Sequence, residues 1–211
     1  MNETVLVPGG RDVRATLDRA RTETGGVDAD AVVVACPPHP QQRGHRGDER
    51  LVAVSDALVD RGIDCLRFDY GPWDDGYGEC TDADNAVGWA LERYDRVGLF
   101  GFSFGGCVAL VTAAIRPELA AVCSLAPAAR LNPDADAVDA LDRLRVPARV
   151  VYGTRDTTAD WRPVVERARE RGVETVGIEA DHFFVGRAGD VAAEAVGFLA
   201  PRLRDGNEGG D

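Results

Sequence analysis

The chain has 211 residues, of which 45% are hydrophobic and 28% are charged, and its formal net charge is -12 at pH 7. This composition is typical of a globular protein, so we expect one domain over residues 1–204 and a disordered polar tail over residues 205–211. The excess of acid argues against nucleic acid and anionic membranes as partners. No apolar run is long enough to cross a membrane, and the first four residues lack the pattern of a secretion signal, which predicts a cytoplasmic protein.

All 24 basic residues are Arg, and the chain contains no Lys. Arg keeps its charge and forms bidentate pairs, whereas Lys adds a long aliphatic stem. A Lys-free acidic surface resembles that of proteins from salt-loving archaea, and this is the interpretation we favour. A GC-rich genome that favours Arg codons is the alternative.

A hairpin is predicted near the N-terminus, around residues 8–10, and strands and helices alternate after it. The predicted strands cover residues 31–36, 63–68, 97–102, 121–126, 148–152 and 173–178. The predicted helices cover residues 48–60, a segment capped by Thr81, and residues 104–115, 135–144, 158–171 and 187–203. This alternation predicts an α/β fold, with a doubly wound, mostly parallel sheet and helices on both faces. In such a sheet, ligands bind beyond the carboxyl ends of the strands.

A Gly-x-Ser-x-Gly motif, from Gly101 to Gly105, lies between a predicted strand and a predicted helix. On such a sharp turn the serine, Ser103, stands clear of the sheet in strained backbone geometry, and the two glycines leave room for neighbouring backbone. The N–H groups at the start of the helix point towards negative charge that develops beside the serine. This context predicts that Ser103 is a nucleophile for attack on a carbonyl carbon.

A nucleophilic serine needs a base, and the base needs a carboxylate that orients it. The chain has three His residues, and one of them, His182, follows the last predicted strand. Asp156 follows the strand before it, so we expect Ser103, Asp156 and His182 at the same edge of the sheet. Asp160 and Asp181 are the alternative carboxylates, and we favour Asp156.

Three motifs together resemble the α/β-hydrolase superfamily: Gly-Phe-Ser-Phe-Gly-Gly after one strand, Gly-x-x-Asp after a later strand and Asp-His-Phe after the last. Residues 103–106 resemble the dienelactone hydrolase group, whose own nucleophile is usually Cys. Residues 36–40, followed by Gly44, resemble small uncapped hydrolases with a His-Pro-His-Pro loop, in which Pro37 here replaces the first His. The resemblance implies a serine hydrolase of small esters, thioesters or lactones. A catalytically silent binding or scaffold protein is the alternative, and a peptidase is a third possibility.

Such a reaction needs two N–H donors where the oxyanion develops. Phe104, the residue after the nucleophile, is expected to supply one of them. The loop after the strand over residues 31–36 is expected to supply the other, and the prolines in that loop have no N–H. His39 is therefore the favoured second donor, with Gln41 next along the chain.

Aromatic residues near the expected site are candidate walls for the acyl or alcohol group of the substrate. They are Trp73, Tyr77, Trp161 and Phe183. The stretch over residues 125–144, where many relatives insert a helical lid, is short. We therefore expect an open site with a minimal lid or none.

Residue types that bind metals occur in two sets, and we interpret neither as a metal site. The five Cys residues form no Cys-x-x-Cys pair, and four of them lie in apolar runs, as small buried hydrophobes do. Asp69, Asp74, Asp75 and Glu79 lie in a loop expected above the site. We favour an ordinary acidic surface there, with a metal site as the alternative, and we expect neither a metal nor a cofactor.

The halophilic interpretation predicts how the stability of the protein depends on salt. Dissolved salt screens the repulsion between acidic side chains, so the melting temperature is expected to rise steeply as KCl is raised into the molar range. Thermal unfolding followed by circular dichroism across a KCl series measures this. A melting temperature that stays flat across the series would count against the interpretation.

Overall fold

The computed structural model describes residues 2–20 and 29–204, and the predicted tail at residues 205–211 lies outside them. The strands are β1 (Asn2–Leu6), β2 (Arg14–Asp18), β3 (Ala31–Cys36), β4 (Asp64–Phe68), β5 (Arg96–Phe102), β6 (Ala121–Leu125), β7 (Arg130–Asn132), β8 (Ala135–Asp136), β9 (Ala148–Gly153) and β10 (Glu174–Ile178). The helices are α1 (Glu49–Val59), α2 (Tyr77–Leu91), α3 (Phe104–Ala113), α4 (Ala137–Arg143), α5 (Arg162–Glu170) and α6 (Ala188–Arg204). None of these helices is long and apolar enough to cross a lipid bilayer.

Eight strands form one sheet in the order β1-β2-β4-β3-β5-β6-β9-β10. β1 and β2 form the hairpin predicted for the N-terminus, and β2 also pairs antiparallel with β4. The other neighbouring strands are parallel. The predicted mostly parallel sheet is therefore confirmed, and the carboxyl ends of its central strands meet along one edge.

Apolar side chains cover both faces of this sheet. Every residue of β3 is buried. Alternate side chains of β3 pack with α2 and α3 on one face, and the others pack with α1 and α6 on the opposite face. Because successive side chains of a strand point to opposite faces, a continuous apolar run such as β3 needs cover on both sides.

Helix α2 begins at Tyr77, one turn before the cap predicted at Thr81. The buried carboxylate of Glu79 accepts the backbone N–H of Gly76 at 2.8 Å and that of Asp74 at 3.0 Å. These bonds satisfy backbone donors just before the helix, which is the role predicted for the Thr81 hydroxyl. That hydroxyl instead donates to the carbonyl of Tyr77 at 3.1 Å. The prediction of the helix start was wrong because Glu79 performs the capping.

The stretch over residues 125–144 contains a short antiparallel pair, β7 and β8, before α4. No pattern in the sequence indicated this pair. Among the described residues of this stretch, α4 is the one helix, so the expectation of a minimal lid is confirmed. The edge of the sheet above β5 is therefore open to solvent.

All five cysteines are free thiols, and the four predicted to be buried are buried. Burial raises the pKa of Cys65, Cys80 and Cys123 to about 12. The thiolate is the nucleophilic form of cysteine, and it is scarce at neutral pH when the pKa is so high. These thiols are therefore poor nucleophiles, as expected of cysteines that act as small apolar residues.

Candidate active site

The turn between β5 and α3 holds Ser103 in an unusual backbone conformation, with φ 58 and ψ -116. An added Cβ at Gly101 would lie 2.0 Å from the carbonyl oxygen of Gly105. An added Cβ at Gly105 would lie 2.3 Å from the carbonyl oxygens of both Cys36 and Pro37. Gly101 thus allows the turn to close tightly on itself, and Gly105 allows it to pack directly against the end of β3. The loop that follows β3 is thereby brought beside Ser103.

Ser103, His182 and Asp156 lie in one line of hydrogen bonds. The Nε2 atom of His182 is 2.9 Å from the Oγ of Ser103, and its Nδ1 is 2.7 Å from the Oδ2 of Asp156. A proton on Nδ1 shared with the carboxylate leaves Nε2 able to accept the hydroxyl proton of the serine. The carboxyl ends of β5, β9 and β10 bring these three side chains together.

The Asp156 side chain is completely buried, and local backbone groups fix its orientation. Its Oδ1 accepts the N–H of Thr158 at 2.8 Å and that of Ala159 at 3.1 Å, which leaves Oδ2 for His182. Helix α5 begins at Arg162 rather than at residue 158 as predicted, because Pro163 has no N–H and fits a helix only in its first turn. A buried carboxylate with this set of donors is fully hydrogen-bonded.

The two alternative carboxylates lie elsewhere. The Asp181 side chain accepts the N–H of Phe183 at 3.0 Å within its own loop. Asp160 is exposed and lies on the rim of the cleft described below. The structure thus places Asp156, and neither of these two, against His182.

Two backbone N–H groups beside Ser103 are available to a ligand. Within the described ranges, the N–H of Phe104 and the N–H of His39 have no acceptor. The N–H of Gln41, the alternative donor in the same loop, instead donates to the Nδ1 of His39 at 3.2 Å. The arrangement offers donors at the start of α3 and in the loop after β3, as an oxyanion site requires.

The imidazole of His39 lies in an aromatic cluster. It stacks on Trp73 with ring centroids 4.7 Å apart, and it meets the ring of Phe104 at 4.9 Å. Burial lowers the pKa of His39, so its ring is neutral over a wider range of pH than an exposed histidine. Because Nδ1 accepts the N–H of Gln41, the neutral ring carries its proton on Nε2.

A cleft of about 480 Å³ opens above Ser103 and His182. Its apolar wall consists of Trp73, Phe104, Ala128, Ala129 and Leu131. A smaller lobe of about 180 Å³ meets it at the same two residues and lies between the loop after β3 and Phe183. These volumes suit a small-molecule ligand.

Two of the four aromatic residues predicted to form walls line the cleft, namely Trp73 and Phe183. Trp161 is buried behind it, stacked on Tyr152, and its Nε1 donates to the carbonyl of Asp156 at 3.1 Å. Tyr77 is exposed in the first turn of α2 and is absent from the lining of both described lobes. The expectation for these two residues is therefore corrected: Trp161 supports the Asp156 loop, and the early start of α2 places Tyr77 outside the cleft.

Several residues that line the cleft were not predicted from the sequence. Gln42 and Thr158 border both lobes. Their positions in the sequence could have indicated this, because Gln42 follows soon after His39 and Thr158 comes two residues after Asp156. Leu131 reaches the cleft from β7, a short strand that no pattern indicated.

The acidic loop between β4 and α2 holds its carboxylates in separate contacts. Asp69 pairs with Arg46, and Glu79 accepts backbone N–H groups of Asp74 and Gly76. Among the described residues, no three His, Cys, Asp or Glu side chains form a group able to hold a metal ion. The carboxylates of Asp69 and Glu79 thus hold this loop in place through an ion pair and hydrogen bonds.

A scan against known protein families finds no match for this chain. An uncharacterised protein of Rickettsia prowazekii is 27% identical over 106 residues, which span 46% of this chain and only 44% of that protein. An α/β serine hydrolase without a lid from Xanthomonas campestris has a TM-score of 0.81 at 22% identity, over 96% of this chain and 95% of that one. Dienelactone hydrolase from Anabaena variabilis has a TM-score of 0.77 at 24% identity, over 97% and 99% of the two chains. The chain therefore has the α/β-hydrolase fold.

Proposed function

We propose that this protein is a serine hydrolase that cleaves a small carboxylic ester, thioester or lactone through an acyl-enzyme. The observation that carries the proposal is the line of hydrogen bonds from Ser103 Oγ to His182 to Asp156. The unengaged N–H groups of Phe104 and His39 beside the same serine support it. The fold is also that of proteins described as serine hydrolase and dienelactone hydrolase.

In the proposed reaction, Ser103 Oγ attacks the acyl carbon while His182 Nε2 accepts the hydroxyl proton. The bond to the leaving group then breaks, and the same proton passes from His182 to the leaving oxygen or sulfur. Asp156 holds the proton on Nδ1 and stabilises the imidazolium. Water, deprotonated by His182, attacks the acyl-enzyme. His182 then returns that proton to Ser103 Oγ as the bond to the acyl group breaks and the acid leaves.

Negative charge develops on the carbonyl oxygen in both steps. The N–H groups of Phe104 and His39 are the proposed donors to that oxygen, and the positive end of the α3 dipole lies next to them. Each such donor is typically worth a factor of about 10²–10³ in kcat. Both are backbone groups held by packing, so they need no rearrangement as the charge develops.

Labelling with a fluorophosphonate tests the nucleophile directly. We expect one phosphonyl group per chain, mapped to Ser103 by peptide mass spectrometry, and no label in Ser103→Ala. The native protein is expected to hydrolyse members of a panel of p-nitrophenyl esters, and Ser103→Ala is expected to fall to the background rate because its nucleophile is gone.

A matched control is available among the other serines, Ser55 and Ser124, both of which are buried. The hydroxyl of Ser55 donates to Asp18 at 2.6 Å, away from the cleft, so Ser55→Ala is expected to keep both label and turnover. A label that persists in Ser103→Ala would contradict the proposal. The absence of both label and turnover in the native protein would favour a binding or scaffold role on the same fold.

Two substitutions at one position test the second oxyanion donor. His39 has φ -56, which proline adopts readily, so His39→Pro removes the N–H with little change in backbone angle and places Cδ where the hydrogen was. His39→Ala removes the same imidazole and keeps the N–H. We expect kcat/KM of His39→Pro to be about 10²–10³ below that of His39→Ala, as for the loss of one oxyanion donor.

Steady-state hydrolysis of one p-nitrophenyl ester by both variants measures this difference, with thermal unfolding as a check of folding. The difference isolates the N–H because the imidazole is missing from both proteins. Equal kcat/KM values for the two folded variants would rule out the His39 N–H as a donor.

A further inference from the structure

Arg50, the second residue of α1, connects that helix to the loop that carries His182. Its NH1 group donates to the carbonyl oxygen of Phe183 at 2.9 Å, across 133 positions of sequence. Its Nε donates to the Oδ1 of Asp48 at 2.9 Å, and its NH2 group pairs with the other oxygen of the same carboxylate. The Arg50 side chain is only 14% exposed, and its bond to Phe183 lies at the surface of the protein. Arg50 is therefore held by α1 and in turn holds the residue directly after His182.

The guanidinium of Arg50 also contacts the residue directly before Ser103. Its central carbon lies 4.5 Å from the centroid of the Phe102 ring. That ring lies 5.3 Å from the imidazole of His182, centroid to centroid. One side chain thus touches the chain neighbours of both reacting residues. A planar guanidinium suits this position because it stacks on an aromatic ring while its edge donates hydrogen bonds.

The loop after His182 has few other hydrogen-bond restraints, although the ring of Phe184 is buried in the core. Within the described part of the chain, the bond from Arg50 is the only hydrogen bond between residues 183–187 and an element other than α6. Phe184 has φ 51, an unfavourable value for a bulky residue. A strained conformation persists only where its surroundings hold it in place. Two restraints hold it here: the burial of the Phe184 ring in the core, and the bond from Arg50 to the preceding residue, Phe183.

We propose that Arg50 is a positioning residue that sets the place of His182 relative to Ser103, an inference that rests on the proposed hydrolase function. The charge of Arg50 is balanced by Asp48, so its effect on His182 is one of geometry. Proton transfer between Ser103 and His182 depends on the distance between Oγ and Nε2. Arg50 lines the smaller lobe of the cleft, and the larger lobe, whose apolar wall is suited to a substrate, does not include it. Loss of Arg50 is therefore expected to lower kcat and to leave KM nearly unchanged.

The substitution Arg50→Met tests this inference, because methionine keeps an unbranched apolar stem beside Phe102 and removes the hydrogen-bond donors. We expect kcat to fall about 10- to 100-fold, as for a displaced catalytic group, with KM within about twofold of the native value. Arg50→Lys keeps one donor for Phe183 and loses the fork that binds Asp48. It is expected to recover part of the lost kcat.

A matched control exists at Arg93, which has the same three kinds of contact at a distance from the cleft. Its central carbon lies 4.6 Å from the Trp89 ring, and its NH1 group donates to the Trp89 carbonyl at 2.9 Å and to Glu92 at 3.0 Å. Arg93→Met is expected to keep native kcat and KM. A fall in kcat of similar size in both variants, or a change in KM in place of kcat, would overturn the inference.

A crystal structure of Arg50→Met gives a readout that does not require turnover. We expect His182 and Phe183 to be displaced or to occupy more than one conformation, with the contact from Nε2 to Ser103 Oγ lengthened. An unchanged His182 in that structure would overturn the inference even if kcat falls. If the native protein shows neither turnover nor label, the proposed function fails, and this structure still decides whether Arg50 places His182.

Discussion

The close packing of Gly105 against the carbonyl groups of Cys36 and Pro37 determines the geometry of the site. A side chain at residue 105 would collide with both oxygens, so the nucleophile turn and the loop after β3 lie together only because this residue is glycine. The same contact brings the loop that carries His39 beside the start of α3, where the His39 and Phe104 rings lie 4.9 Å apart. The unusual backbone of Ser103 is held from the opposite side, where its N–H donates to the carbonyl of Leu125 at 2.8 Å.

The remaining groups are held by separate elements that converge on the same edge of the sheet. Asp156 is oriented by N–H groups of the loop before α5 and is backed by the indole of Trp161. His182 lies between Asp156 and Ser103, and the loop after it is tied to α1 by Arg50. Because each side chain has its partners in place before a substrate arrives, little reorganisation is needed in the proposed reaction. The apolar wall of the open cleft includes Trp73 and Leu131.

Sequence alone predicted the sheet and the three candidate catalytic residues, because both depend on local patterns. Apolar runs mark the buried strands, and the ends of parallel strands fall at one edge wherever the order of helices and strands is regular. The start of α2 was predicted one turn too late. Glu79 caps this helix through side-chain hydrogen bonds, which hydrophobic periodicity does not reveal. Arg50 contacts Phe183 across 133 positions of sequence, so this contact had no local signal. Trp161 contacts nearby residues, Tyr152 and Asp156, but no pattern in the sequence shows that its indole turns inward.

The central claim is that Ser103 attacks a carbonyl whose oxygen is then held by the N–H groups of Phe104 and His39. A crystal structure of the protein after reaction with a small fluorophosphonate tests this claim most directly. The account predicts phosphorus bonded to Ser103 Oγ, with its non-ester oxygen about 2.7–3.1 Å from both backbone nitrogens. An adduct on Ser103 whose oxygen contacts neither nitrogen, or an adduct on another residue, would contradict it.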